Sequence, residues 1–147
     1  MKGRHKIGFG IYLLVAFFTI AWGFLYLFSH EMMPYHKQAI GKNWAEIERG
    51  VQVIILALME AVGAANLIIG FIVLILLLIP FRRGEAWVNW TIFLGGMVFS
   101  GFAFLITLKV HLATNASTPW YLFLLTAVLI LLGFMFSLGM EKKKIQS

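Results

Sequence analysis

Long apolar segments separated by short polar connections dominate the chain. Four of them, 7–28, 51–79, 86–108 and 119–140, each reach the length of about 20 residues that a helix needs to cross a bilayer. Within these segments the only charged side chain is that of Glu60. The pattern predicts an all-α integral membrane protein, a single domain over residues 1–147 in which four transmembrane helices form an antiparallel bundle.

Composition and charge support the membrane class and indicate an orientation. Hydrophobic residues make up 61% of the chain and charged residues 12%, against about a quarter charged in soluble domains. The net charge of +6 sits at the ends of the apolar segments, so it favours the positive-inside rule over nucleic acid binding. Both termini are predicted to be cytoplasmic, in a multi-pass protein of the inner (plasma) membrane. The cytoplasmic side would carry Lys2, Arg4, Lys6, Arg82, Arg83, Lys142, Lys143 and Lys144, and the outer side Lys37, Lys42, Arg49 and Lys109.

The outer connection, 29–50, is the longest stretch outside the predicted spans. Pro34 is expected to break any helix in its first part. Asn43, with Glu46 three residues later, matches a capping box. The second helix is therefore expected to begin at about Trp44 and continue to residue 79, which gives a structured outer loop between the first two helices.

The polar residues of the second span share one helical face. At about 100° per residue, they fall within an arc of about 120° together with two glycines. This stripe is predicted to line an outward-facing pocket around Glu60 that holds a lipid-like or small organic ligand. The competing interpretation is that the polar side chains bond to neighbouring helices and hold the bundle together. The stripe comprises Arg49, Gln52, Leu56, Glu60, Gly63, Asn66 and Gly70, and the candidate ligand-binding residues are Glu60, Gln52, Asn66, Gly63, Trp22, Tyr26 and Ser100.

Glu60 is the position that most needs an explanation. A carboxylate within hydrocarbon is costly and usually has a partner or a use. No other predicted span has a Lys, Arg or His in its middle, so the candidate partners are neutral donors. These are Thr19, Trp22, Tyr26, Ser100, Thr107 and Thr126.

Histidines gather on the predicted outer side. His30, His36 and His111, with Glu31, are residue types that bind zinc, iron or copper. Their spacing does not match a two-histidine helical motif, so they remain weak metal candidates, and we predict no metal or other cofactor. The chain has no cysteine, which excludes disulfides and thiolate chemistry.

Three functions follow from these patterns. The favoured one is the binding of a ligand at the Glu60 pocket by a protein whose surroundings are the lipid bilayer. The first alternative is a membrane enzyme acting on a lipid, with Glu60 and His30 or His36 as acid and base. The second is an accessory or structural subunit of a larger membrane complex, either a homo-oligomer or an assembly with a partner protein. Nucleic acid is not an expected partner.

Overall fold

The computed structural model describes residues 3–138 and is helical throughout, with no strand in that range. Five α-helices follow one another: α1 (Gly3–Leu27), α2 (Pro34–Ile40), α3 (Arg49–Leu76), α4 (Ala86–Thr114) and α5 (Trp120–Ser137). Within residues 3–138, four helices are long and apolar enough to span a membrane: α1, α3 with its π-helical end, α4 and α5. The structure thus confirms the predicted all-α class and the four membrane-length helices. The predicted end of the fourth span at residue 140, and the basic residues at 2 and 142–144, lie outside the described residues.

The four long helices pack in the order α3, α1, α5, α4. Helix α1 lies in the middle and contacts both α3 and α5, while α4 packs on α5. Small residues allow the close approaches: Gly63 of α3 lies against the backbone of Gly23 and Leu27, and Gly8 of α1 lies against Gly133. Within each contact, rising residue numbers on one helix meet falling numbers on the other, so neighbouring helices are antiparallel.

Polar and aromatic side chains hold the end of the bundle where α1 and α4 begin. The Tyr12 hydroxyl donates a hydrogen bond of 2.8 Å to Oδ1 of Asn89, and both side chains are buried. The Tyr12 ring also meets Phe81 edge to face, with centroids 6.0 Å apart. A bond between two buried polar groups is worth more where no water competes, so this contact fixes α1 against α4.

The outer connection differs from its prediction in two places. Pro34 begins α2 instead of breaking a helix, because proline is well suited to the first helical position, where no N–H is needed. Asn43 does donate its backbone N–H to Glu46 at 2.9 Å, but the turn Trp44–Glu46 is a single 3₁₀ turn. Ile47 is extended, so α3 begins only at Arg49.

Helix α3 ends in a π-helical turn, Leu77–Phe81, that contains Pro80. Proline cannot donate to the helical ladder, and wider turns are found where the ladder is interrupted. After the turn at Gly84, which has a φ of 77°, α4 runs back beside α3. The two helices meet near this turn but do not pack along their lengths, so a cleft opens between them.

Candidate functional site

The cleft between α3 and α4 has a volume of about 1020 Å³, at the upper end of the roughly 300–1,000 Å³ of small-molecule sites. Trp22 and Tyr26 of α1 and Phe123 of α5 form its floor, and α2 contributes residues at its outer end. We call this space the α3/α4 cleft. The α3 wall consists of Ile55, Leu58, Met59, Val62, Ala65 and Asn66, and the α4 wall consists of Leu94, Gly95, Val98, Phe99, Phe102, Ala103, Ile106, Thr107 and Val110.

Three side chains that can form hydrogen bonds meet at the outer end of the α3/α4 cleft. The hydroxyl groups of Tyr26 and Tyr35 are hydrogen-bonded to each other. The His36 ring lies edge-on to both tyrosines, with centroids 4.2 Å from Tyr35 and 6.5 Å from Tyr26. We call these three residues the mouth cluster. It joins α2 to α1 and gives an otherwise apolar cleft one polar end.

His36 is the unusual member of the mouth cluster. Its Nδ1 atom is buried and has no hydrogen-bond partner among residues 3–138. Burial lowers the pKa of His36, because desolvation disfavours the charged imidazolium. A buried polar atom without a partner is uncommon in folded proteins and points to a group that the protein alone does not supply.

Other polar side chains on the cleft wall donate hydrogen bonds to backbone carbonyls. Asn66 donates one amide N–H to the carbonyl of Val62 at 2.8 Å, and Thr107 donates to the carbonyl of Ala103 at 2.7 Å. Thr118 donates to the carbonyl of Thr107 at 2.8 Å. The two threonine hydroxyl protons are therefore used within the protein, whereas the mouth cluster keeps one tyrosine hydroxyl proton for a ligand.

Glu60 does not lie in the cleft, which corrects the predicted position of the pocket. Its side chain is exposed, whereas the preceding residue, Met59, is buried and lines the cleft. The predicted arc was about 120° wide and had Glu60 at one edge and Asn66 at the other. The cleft adjoins the Asn66 edge, and α1 covers the centre of the arc at Gly63, so the Glu60 edge is left on the outside.

Three other predicted binding residues also point elsewhere. Gly63 is buried against α1, and a Cβ there would lie 2.6 Å from the backbone nitrogen of Leu27. Ser100 is fully buried and donates to the carbonyl of Gly96 at 2.7 Å. Gln52 donates to the carbonyl of Trp44 at 2.7 Å, which ties α3 to the outer connection. Of the predicted binding residues, Trp22, Tyr26 and Asn66 line the cleft.

The neutral donors expected to pair with Glu60 are engaged within their own helices. Thr19 and Thr126, like Ser100 and Thr107, donate to the carbonyl four residues earlier. Such bonds back to the helix are a common use of serine and threonine hydroxyls in helices. Tyr26 belongs to the mouth cluster instead.

The outer histidines are not brought together as metal ligands. Glu31 forms a salt bridge of 2.9 Å with Lys37, His30 is exposed, and Nδ1 of His111 donates to the carbonyl of Ala116 at 2.7 Å. Across residues 3–138, no group of three or more His, Asp or Glu side chains is arranged to hold a metal ion. Nor does any hydrogen bond in this range join Glu60 to His30 or His36.

Several cleft residues had no signal in the sequence. Tyr35 follows Pro34 in the outer connection, and α2 carries it onto Tyr26. The α4 wall is apolar, and nothing in its pattern separates side chains that face a cleft from side chains that face lipid. A search for aromatic hydroxyls near the outer end of each span would have found Tyr26 and Tyr35.

The fold and the cleft define a class: a multi-pass helical membrane protein with an apolar cleft that is polar at one end. No protein family model, curated protein or solved structure matches the chain. The proposals below therefore depend on the geometry alone.

Proposed function

We propose that this protein binds a lipid-like amphiphile in the α3/α4 cleft, with the acyl chain between the two helices and the head at the mouth cluster. The observation that supports this most is the separation of α3 and α4, which leaves a mainly apolar volume of about 1020 Å³ with the mouth cluster at one end. An amphiphile has the same division into a long apolar part and a small polar part.

Apolar contact alone would not select a ligand from a bilayer. Lipid tails are as apolar as the cleft walls, so moving a chain from bilayer to cleft gains little from the hydrophobic effect. The selective contribution has to come from polar groups on the protein that pair with the head of the ligand. The mouth cluster is therefore the part of the site that determines which amphiphile binds.

The helical register suggests the depth of the site. Gly63 lies against Gly23 and Leu27, so Glu60, one turn closer to the start of α3, is level with the end of α1. Glu60 and Arg82 are separated by about 33 Å along the helix, close to the roughly 30 Å of hydrocarbon. If Arg82 lies at the cytoplasmic boundary, Glu60 lies at the outer one, where a carboxylate reaches the head groups.

With the positive-inside distribution, this depth supports a cleft in the outer leaflet of the plasma membrane and cytoplasmic termini. Exposed Val53 and Ile54 lie on the outer side of Glu60 and keep this part of α3 in the interfacial layer. Ligand would enter sideways from the leaflet.

No specific observation favours either alternative function. An acid–base pair needs two groups within reach of one proton, about 2.6–3.2 Å or one bridging water. Glu60 and His36 do not line the same cavity. The exposed carboxylate does not by itself identify a partner subunit.

Native mass spectrometry of the protein released gently from its own membrane tests the proposal. Wild type is expected to retain a co-purifying lipid, and Ala103→Trp is expected to lose it, because an indole on the α4 wall fills the cleft. Ala61→Trp is the matched control, since Ala61 is exposed on α3 and does not line the cleft. Equal retention by the two variants, or a dimer whose second copy occupies the cleft, would contradict the proposal.

A further inference from the structure

The α3/α4 cleft contains no formal charge. Among the described residues that line it, there is no Lys, Arg, Asp or Glu. Two basic residues adjoin lining residues in sequence, and neither lines the cleft: Lys37 is paired with Glu31 at 2.9 Å, and Lys109 is exposed. A charged head group in this cleft would have no counter-ion.

The mouth cluster instead offers two neutral hydrogen-bonding positions. In the Tyr26–Tyr35 pair, one hydroxyl proton is used between the rings, so one O–H donor is left for an acceptor on a ligand. The His36 ring, which lines the cleft, is the second position, and a neutral imidazole has one nitrogen that donates and one that accepts. A hydroxyl group satisfies either tautomer, because it both donates and accepts.

We infer that the ligand is an uncharged glyceride-type amphiphile, in which a free hydroxyl meets the His36 ring and an ester carbonyl accepts from the Tyr26–Tyr35 pair. This inference rests on the proposed function and specifies its ligand class. Phosphate and ammonium head groups are disfavoured, because leaving water for a site without a counter-charge carries a desolvation penalty that nothing repays. The lowered pKa of His36 agrees with a site that stays neutral.

Three probes with an oleoyl or oleyl chain separate the possibilities: monooleoylglycerol, oleoyl lysophosphatidic acid and oleylamine. Each is titrated into the delipidated protein in detergent, and the bound fraction is read by native mass spectrometry. Monooleoylglycerol is expected to bind at least tenfold more tightly than either charged probe.

His36→Phe keeps a ring in place and removes Nδ1. It is expected to weaken monooleoylglycerol binding by roughly tenfold, the effect of one lost hydrogen bond in a dry site. His30→Phe is the matched control and should bind as wild type does, because His30 is exposed and does not line the cleft. Tyr35→Phe removes one hydroxyl of the pair and gives an independent test if His36→Phe does not fold.

The outcomes distinguish this inference from the proposed function beneath it. If a charged probe binds as tightly as monooleoylglycerol, or if neither His36→Phe nor Tyr35→Phe weakens binding, the ligand class is wrong while the cleft remains a binding site. If all three probes bind Ala103→Trp as they bind wild type, the cleft is not the binding site and both proposals fail.

Discussion

Replacing Gly63 by alanine tests the packing of α1 on α3. This contact buries Gly63 and separates the α3/α4 cleft from Glu60, where the pocket was predicted. A Cβ at this position would lie 2.6 Å from the backbone nitrogen of Leu27 and 2.8 Å from the carbonyl oxygen of Gly23. Both are backbone atoms, which cannot rotate away as a side chain can. Helices α1 and α3 would therefore have to separate at this crossing.

The size of the effect follows from two opposing contributions. Overpacking a well-packed contact costs about 1–3 kcal/mol, and contact with backbone puts Gly63 at the upper end of that range. Alanine regains about 1 kcal/mol over glycine in a helix interior. We expect Gly63→Ala to lower the free energy of unfolding by about 2 kcal/mol.

Unfolding by denaturing detergent in mixed micelles, followed by tryptophan fluorescence, measures this change. The control is Gly10→Ala on α1, where an added Cβ meets nothing within 4 Å. Gly10→Ala should be neutral or stabilising by up to about 1 kcal/mol. Equal stability of the two variants would refute the packing of α1 on Gly63 and return that glycine to the set of possible ligand contacts.

Three further predictions concern Glu60, Tyr12 and His36. Glu60→Gln should leave lipid retention unchanged and shift stability by no more than about 0.5 kcal/mol, as for other exposed sites; a clear loss of bound lipid would return the site to the predicted stripe. Tyr12→Phe should lower the free energy of unfolding by about 1–3 kcal/mol, because it leaves the buried Oδ1 of Asn89 without a hydrogen-bond donor. An unchanged stability would show that this hydrogen bond is not formed. Burial lowers the pKa of His36, so the unfolded chain takes up a proton first as pH falls. The stability that neutral His36 contributes is present above its ordinary pKa of about 6.5 and is lost as pH falls from there through the lower pKa of the folded state. Thermal melts at about pH 7.5 and pH 5 should therefore show a larger decrease for wild type than for His36→Phe, and equal decreases would mean that His36 is not buried.

Hydropathy was sufficient to predict the four long helices. Four long apolar segments contain little competing information, and turn signals such as Pro80 with Gly84 mark a helix end. The residue at which α3 begins was harder to predict, because the outer connection contains only local signals. The capping contact between Asn43 and Glu46 forms as expected, yet it supports a single turn.

The position of the site depended on packing that periodicity does not encode. The helical arithmetic put Glu60, Gly63 and Asn66 on one face, but a face of that width meets more than one environment. Gly63 packs against α1, Asn66 borders the cleft and Glu60 is left outside. Which part of the face meets a neighbouring helix depends on long-range contacts such as Gly63 with Gly23, and one sequence does not reveal them.

The depth of Glu60 could be inferred only from the way α3 pairs with α1. Judged from the apolar segment 51–79 alone, Glu60 lies well inside a stretch long enough to span a bilayer, so it was predicted to lie in hydrocarbon. Beside α1, whose last residue is Leu27, it lies at the level where the shorter helix ends. Because its side chain is exposed, Glu60 needs no partner inside the bundle, and the mouth cluster becomes the more informative feature.

An experimental structure of the protein in nanodiscs made from its native lipids would show whether a lipid occupies the α3/α4 cleft. We expect elongated density between α3 and α4, beside Met59 and Val98, that ends in contact with His36, and no ordered ligand at Glu60. A cleft closed by direct packing of α3 on α4, or ordered ligand density at Glu60 with none beside Met59, would contradict it.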